Sequence, residues 1–299
     1  MQTKILVPLD GSARAEAILP AAATLAREIG SSLVLLRVAP EFAGAAAYLH
    51  AWAAELETRG LLVTTQVLGG APAPAIIEYA RHAPGIGLIA MATHGRRGLD
   101  RWVGGSVAEA VLQRAGRPLL LVRAGDRAPQ DAPQLILHTI LVPLDGSTFA
   151  AQALDEARHL ARATAATLLL VSVMPAPEHL SLAEAGITPF WVMEARQEAA
   201  RRMRQELGVT ARRLLDEGLP VRVRLMHGDP AAEILHAATE EHTDLVLMAT
   251  HGRNGLQRLW PGSVALQVVQ AATRPVLLVP VAWRWDVPAE TSTRIEARV

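Results

Sequence analysis

The chain has 299 residues, 51 % hydrophobic and 19 % charged, and its 29 basic and 29 acidic side chains balance. That composition excludes disorder, suits two domains of ordinary size, and leaves no global electrostatic case for binding nucleic acid or an anionic membrane surface. There is no cysteine, which excludes disulfides, thiolate zinc sites and cysteine nucleophiles, and no apolar run is long enough for a membrane-spanning helix.

The N-terminal MQTKILVPLDGS reaches Asp10 after too short an apolar run for a secretory signal, so a cytoplasmic protein is expected. Strands are predicted near 4–9, 32–38, 61–68, 87–92 and 118–122, with helices near 13–29, 42–59, 72–83 and 105–115. Pro20 falls inside the first helical pattern and is expected to kink or shorten it. A linker at 126–136, rich in alanine, proline and charge, leads to strands predicted near 139–144, 167–173, 220–227, 244–249 and 275–279. Between Val173 and Gly218 lies an insertion relative to the first half, which reads as a longer helix with its lead-in loop. Strands apolar on both faces and separated by amphipathic helices call for parallel sheets covered on both sides. The expected fold is α/β, with two doubly wound five-stranded domains at 1–125 and 137–281 and a polar tail at 282–299 that carries Trp283 and Trp285.

Internal repetition supports that division. ILVPLDGS at 5–12 recurs unchanged at 140–147; GAPAPAII at 70–77 answers GDPAAEIL at 228–235; RPLLLV at 117–122 answers RPVLLV at 274–279. In 89–107 and 246–264, 12 of 19 positions are identical. The chain is a tandem duplication.

In doubly wound sheets a ligand sits beyond the carboxyl ends of the strands, where strand order reverses. The residues there are Pro8, Leu9 and Asp10 after the first strand, Val38 after the second, and MATHGRRGLDRWVGGS at 91–106 after the fourth. Glycine lets backbone amides approach a phosphate, and Gly95, Gly98, Gly104 and Gly105 run through that last segment. Ser106 stands where the fourth helix begins, where a serine caps free amides and the helix dipole attracts an anion. Arg96, Arg97 and Arg101 add positive charge, as do Arg253 and Arg258 in the second copy. Together these describe an oligophosphate seat. The segment is neither a Walker loop nor a dinucleotide fingerprint. His94 and His251 lack neighbouring ligands at metal spacing and read as loop-stabilising, so no metal site is expected.

Each half resembles a universal stress protein domain. The nucleotide-binding members of that family carry G-x2-G-x9-G-[ST], matched here by Ala92, Gly95 and Gly105-Ser106, and again by Ala249, Gly252 and Gly262-Ser263. Both copies replace the first glycine by alanine. That costs affinity if the position needs positive φ, and nothing if it needs only smallness. The resemblance implies ATP, ADP or AMP as ligand, with or without Mg2+. It places Asp10 and Asp145 near the ribose and base, Val38 and Val173 on adenine, and Ser106 and Ser263 on phosphate. By the same likeness Pro8, Leu9, Met91, Ala92, Gly95, Arg96, Gly105 and Val107 line the first site, and Pro143, Leu144, Met248, Ala249, Gly252, Arg253, Gly262 and Val264 the second. An N-cap of the first helix in each half is an equally open role for Asp10 and Asp145. Asp229 reads as the cap of its own helix, a role Ala71 cannot share.

The implied function is a stress-response protein that binds adenine nucleotide in one or both domains. A slow ATPase or nucleotidyl-transferring enzyme, and an interaction module without nucleotide, stay open beside it. By the same resemblance the closing strands, 118–123 and 275–280, are expected to pair antiparallel within the chain; a second copy of the chain is the other partner to consider.

Overall fold

The computed structural model describes residues 3–94, 107–124, 136–175, 190–250 and 262–280. In the first half β1 (Lys4–Pro8), β2 (Ser32–Val38), β3 (Val63–Leu68), β4 (Ile86–His94) and β5 (Leu119–Ala124) alternate with α1 (Ala13–Glu16), α2 (Leu19–Glu28), α3 (Phe42–Thr58), α4 (Pro72–His82) and α5 (Val107–Arg114). The second half repeats the scheme with β6 (Thr139–Pro143), α6 (Thr148–Thr164), β7 (Thr167–Pro175), α7 (Phe190–Asp216), β8 (Val221–Gly228), α8 (Pro230–Glu240), β9 (Leu245–Ala249), α9 (Ser263–Ala271) and β10 (Val276–Val279).

All ten strands form one sheet in the order β3-β2-β1-β4-β5-β10-β9-β6-β7-β8. Pairing is parallel within each half. At the centre β5 and β10 run antiparallel, with Leu120 opposite Leu277. Each half is thus a doubly wound α/β unit, and the two meet edge to edge. The pairing gives partners to peptide groups that two lone edge strands would expose.

Alternate residues of these strands face opposite layers, and both layers run through both halves. One gathers Ile5, Val7, Leu120, Leu277, Ile140 and Val142 under α2, α3, α6 and α7. The other gathers Leu6, Leu119, Leu121, Leu278 and Leu141 under α4, α5, α8 and α9.

The single helix expected over 13–29 is two. α1 ends at Glu16 and α2 opens with Pro20 in its first turn. A proline ring collides with the carbonyl four residues earlier, here that of Glu16, and Pro20 has no N–H to offer it. In the second half Asp155 takes that place in the repeat, and α6 runs unbroken for 17 residues. The fourth strand is longer than expected because Thr93 and His94 continue the ladder opposite Arg123 and Ala124.

The long α7 is tied to α6 at its far end. Arg158 Nε and Arg162 Nη2 donate to Glu217 Oε2 at 3.0 and 2.8 Å. The hydrogen bond from Arg158, helped by the charges around it, holds the Glu217 carboxyl below its usual value of 4.5. A lowered folded-state value means the contribution is complete above the unfolded carboxylate range and is lost as pH falls through the folded value. We expect Glu217→Gln to flatten the fall of stability below about pH 4.5 relative to the parent chain, measured by urea unfolding across pH. For the shared core, Leu277→Ala, at a site only 1 % exposed, is expected to cost about 2–5 kcal/mol. Calorimetry should show one transition shifting as a whole; a first-half transition that ignores the substitution would contradict a continuous core.

Candidate functional site

Strand order reverses between β1 and β4 in the first half and between β6 and β9 in the second. The carboxyl ends of these strands therefore open the two crevices in which site residues are sought.

At the end of β1 the chain is pinned before it turns: Leu9 N–H donates to the Leu36 carbonyl at 2.8 Å, and Leu144 N–H to that of Val171 at the same distance. Asp10 Oδ1 then accepts from Ser12 N–H at 2.8 Å, and Asp145 Oδ1 from Ser147 N–H at 2.9 Å. Between them Gly11 and Gly146 have φ of +87° and +76°, a region that side chains disfavour. The hydroxyls of Ser12 and Ser147 accept from Ala15 and Ala150 N–H at 3.2 and 3.1 Å. The serines, not the aspartates, are the N-caps. The aspartates close a turn one step earlier, in the same way in both halves.

On one side of each crevice the apolar residues agree as well. Val38, Met91 and Val107 belong to a single apolar cluster, which also contains Val173, Met248 and Val264. Pro8 and Pro143 end β1 and β6.

The glycine segments lie mostly outside the described residues: Gly95, Arg96, Gly105, Ser106, Gly252 and Arg253 are among those of which nothing structural is said. Their ends are well placed. Thr250 N–H donates to the Val279 carbonyl at 3.0 Å, and the Thr250 carbonyl accepts from Gly262 N–H at 2.5 Å. One hydrogen bond thus brings together the two ends of the second glycine segment at the carboxyl edge of β9. Gly262 is the N-cap of α9 and makes no side-chain cap bond; Ser263 is the first helical residue. The cap in the second half is therefore a residue without a side chain. This leaves the first-turn amides of α9 without a side-chain acceptor at the cap.

Ala92 and Ala249 resolve the question left by the missing glycines. Ala92 is in the interior of β4 opposite Val122, and Ala249 ends β9 opposite Val279. Neither is among the described residues with positive φ. A methyl group costs no backbone strain at either position.

The sequence model of the universal stress protein family matches residues 1–123 and 137–280. The chain belongs to that family. A universal stress protein of Bacillus subtilis is 31 % identical over 147 residues, which is 48 % of this chain and 99 % of that protein. One half here thus answers to a whole relative. A solved universal stress protein from Archaeoglobus fulgidus superposes over 93 % of this chain and 96 % of its own at a TM-score of 0.65 and 18 % identity, a likeness of fold. One solved family member is in complex with cAMP; it covers 42 % of this chain and 98 % of its own at a TM-score of 0.36 and 22 % identity.

The two universal stress protein halves differ in what covers the aspartate turn, a feature the sequence reading missed. In the first half the Arg37 guanidinium lies over Gly11, with Nη2 2.9 Å from where a Cβ would stand. It also sits 4.8 Å from the ring centroid of Tyr48. Tyr48 Oη and Trp52 Nε1 donate to Glu16 Oε1 at 2.7 and 3.2 Å. Burial, and then the bond to Glu16, push the Tyr48 hydroxyl well above its ordinary value, so it stays a donor. The signal was present: Arg37 is the one charge in SLVLLRV. Its counterpart in the repeat is Ser172, buried and donating from Oγ to the Leu144 carbonyl at 2.6 Å. Over Gly146 stands a carboxylate instead, with Glu206 Oε2 3.5 Å from the Cβ position. Asp229 accepts from Ala232 N–H at 2.8 Å and caps α8, whereas Ala71 gives α4 no side-chain cap.

We expect Gly11→Ala and Gly146→Ala each to lose about 1–2 kcal/mol, the usual cost of a β-carbon at positive φ. Only Gly11→Ala should also change Trp52 fluorescence, because it displaces Arg37 from the Tyr48–Trp52 cluster. Urea unfolding by circular dichroism reads the stability, and native-state emission compared with a Trp52→Phe background isolates the Trp52 signal; wild-type stability in either variant would refute the turn assignment.

Proposed function

We propose that this protein is an adenine-nucleotide-binding regulatory protein of the stress response, taking ATP or a related adenylate at the carboxyl edge of one or both halves. The observation that carries the proposal is the N-terminus of α9. Its cap residue has no side chain, it stands at the strand-order reversal, and the ends of a glycine-rich segment are tied to it. Free amides and the positive end of a helix dipole favour a phosphate there. In this reading Gly262 and Ser263 hold phosphate, with Gly252 and Arg253 from the preceding segment. Asp145 meets the ribose and base, and Val173, Met248 and Val264 support the adenine. Pro143, Leu144 and Ala249 shape the walls. The first half would use Pro8, Leu9, Asp10, Val38, Met91, Ala92, Gly95, Arg96, Gly105, Ser106 and Val107 in the same way, within domains of 1–125 and 137–281. Occupancy, rather than turnover, would be the signal passed to partners in the cytoplasm.

Gly262→Asp tests the seat without unfolding the helix. Gly262 has φ −54° and ψ 151°, which any residue adopts. Aspartate is at least as good an N-cap as glycine, so the change in stability should stay within about 0.5 kcal/mol. Its carboxylate would occupy and repel the phosphate position. Titration calorimetry with ATP, ADP and AMP, with and without magnesium, should show the second-half site weakened at least about tenfold. Unchanged affinity in a chain that carries both Gly105→Asp and Gly262→Asp would overturn the assignment.

A further inference from the structure

The face that α7 turns to the sheet changes chemistry along its length. Leu207, Ala211 and Leu214 are buried, with the spacing of a core stripe. Toward the amino end the stripe continues as buried Ala200 and half-buried Arg196, flanked by the exposed Arg201 and Arg204. These residues, Gln197, Met174 of β7 and His227 of β8 line an open cavity of about 500 Å3. Its floor is apolar, since Met174 and Ala200 are buried, and its size is that of small-molecule sites.

Three guanidinium groups line the cavity. Two other arginines of this helix are paired with a carboxylate four residues away: Arg202 meets Glu198 at 3.4 Å, and Arg213 meets Glu217 at 3.5 Å. Among the described residues no carboxylate lies within 4.0 Å of Arg196, Arg201 or Arg204. Arg201 and Arg204, three residues apart, are like charges on neighbouring helix positions, which repel until an anion lies between them. The first half has no equivalent, because α3 holds neither lysine nor arginine.

Position separates this cavity from the glycine seat. It lies at β7 and β8, while α9 follows β9 on the other side of β6. At the usual strand spacing the two are on the order of 10 Å apart across the sheet, so the cavity adjoins the base end of the nucleotide reading at Val173 but not its phosphate seat. Arg196 and Arg204 are about 12 Å apart along the helix axis, farther than one phosphate reaches. Planar guanidinium forks suit phosphate oxygens better than any other anion-binding side chain.

We propose that this cavity is a second anion site, confined to the second half, for a small molecule bearing at least two phosphate groups. It stands apart from the nucleotide reading. The test uses inorganic tripolyphosphate, pyrophosphate and orthophosphate as probes, in calorimetry on the full chain carrying Gly105→Asp and Gly262→Asp so that both glycine seats are blocked. Tripolyphosphate should bind at one site per chain, and orthophosphate at least about tenfold more weakly. Adding Arg196→Gln, Arg201→Gln and Arg204→Gln should weaken tripolyphosphate at least about tenfold, with circular dichroism unchanged, because glutamine matches arginine in helix propensity. Should the triple variant lose structure, Arg201→Gln alone, at an exposed position, must still weaken binding measurably. No tripolyphosphate binding in the glycine-blocked chain, or affinity that survives the arginine substitutions, overturns the proposal. ATP failing to bind the parent chain while tripolyphosphate binds would sink the nucleotide reading and leave this one standing.

Discussion

A strand that runs into a helix leaves the sheet with peptide N–H groups that neither element can pair, and the carboxyl edge of this protein is arranged around them. Where α1 and α6 begin, side chains consume those groups: an aspartate takes one and a serine takes the next. Where α9 begins, the cap is a glycine, which has no side chain to do so. The same topological need thus has two solutions on one edge. The saturated turns fix geometry, and the unsaturated helix end is the place where an anion gains most. The aspartates belong to the first solution through one carboxyl oxygen, which makes them rigid neighbours of the second.

Duplication has not kept the two halves electrostatically equal. They share one sheet and two continuous apolar layers, so neither half has a core of its own to drift with. The freedom to diverge lies at the rim. Over the first aspartate turn stands Arg37, held against Tyr48; over the second stands Glu206 of α7, while the arginines of the same helix face the neighbouring cavity. A ligand common to both crevices would meet a cation beside Gly11 and a carboxylate beside Gly146. Interactions at such exposed or half-exposed positions are individually modest.

Much of this was legible in the sequence, and the exceptions share a cause. The repeat, the parallel strands, the helix break at Pro20 and the cap at Asp229 follow from local chemistry, because proline geometry and a side-chain acceptor three residues ahead act on their own segment. Asp10 and Ser12, two positions apart, are both good caps, and the positive φ of Gly11 between them goes with serine capping while aspartate closes the turn. The start of α9 is another such boundary: Ser263 is the first helical residue and Gly262 its cap, a one-residue difference that the sequence pattern does not fix. The arginine cavity was hidden in a helix that reads as ordinarily amphipathic and basic. Its meaning depends on α7 lying against Met174 of β7 and His227 of β8, a tertiary fact that periodicity does not contain.

The central claim is that main-chain amides at the start of α9 hold a polyanion beside Asp145. A crystal structure of the full chain soaked in ATP tests it most directly. The account requires triphosphate density against the amides of Gly262 and Ser263, with the ribose toward Asp145 and the base against Val173. Crevices closed by side chains alone, with ATP absent or lodged away from both helix ends, would contradict it.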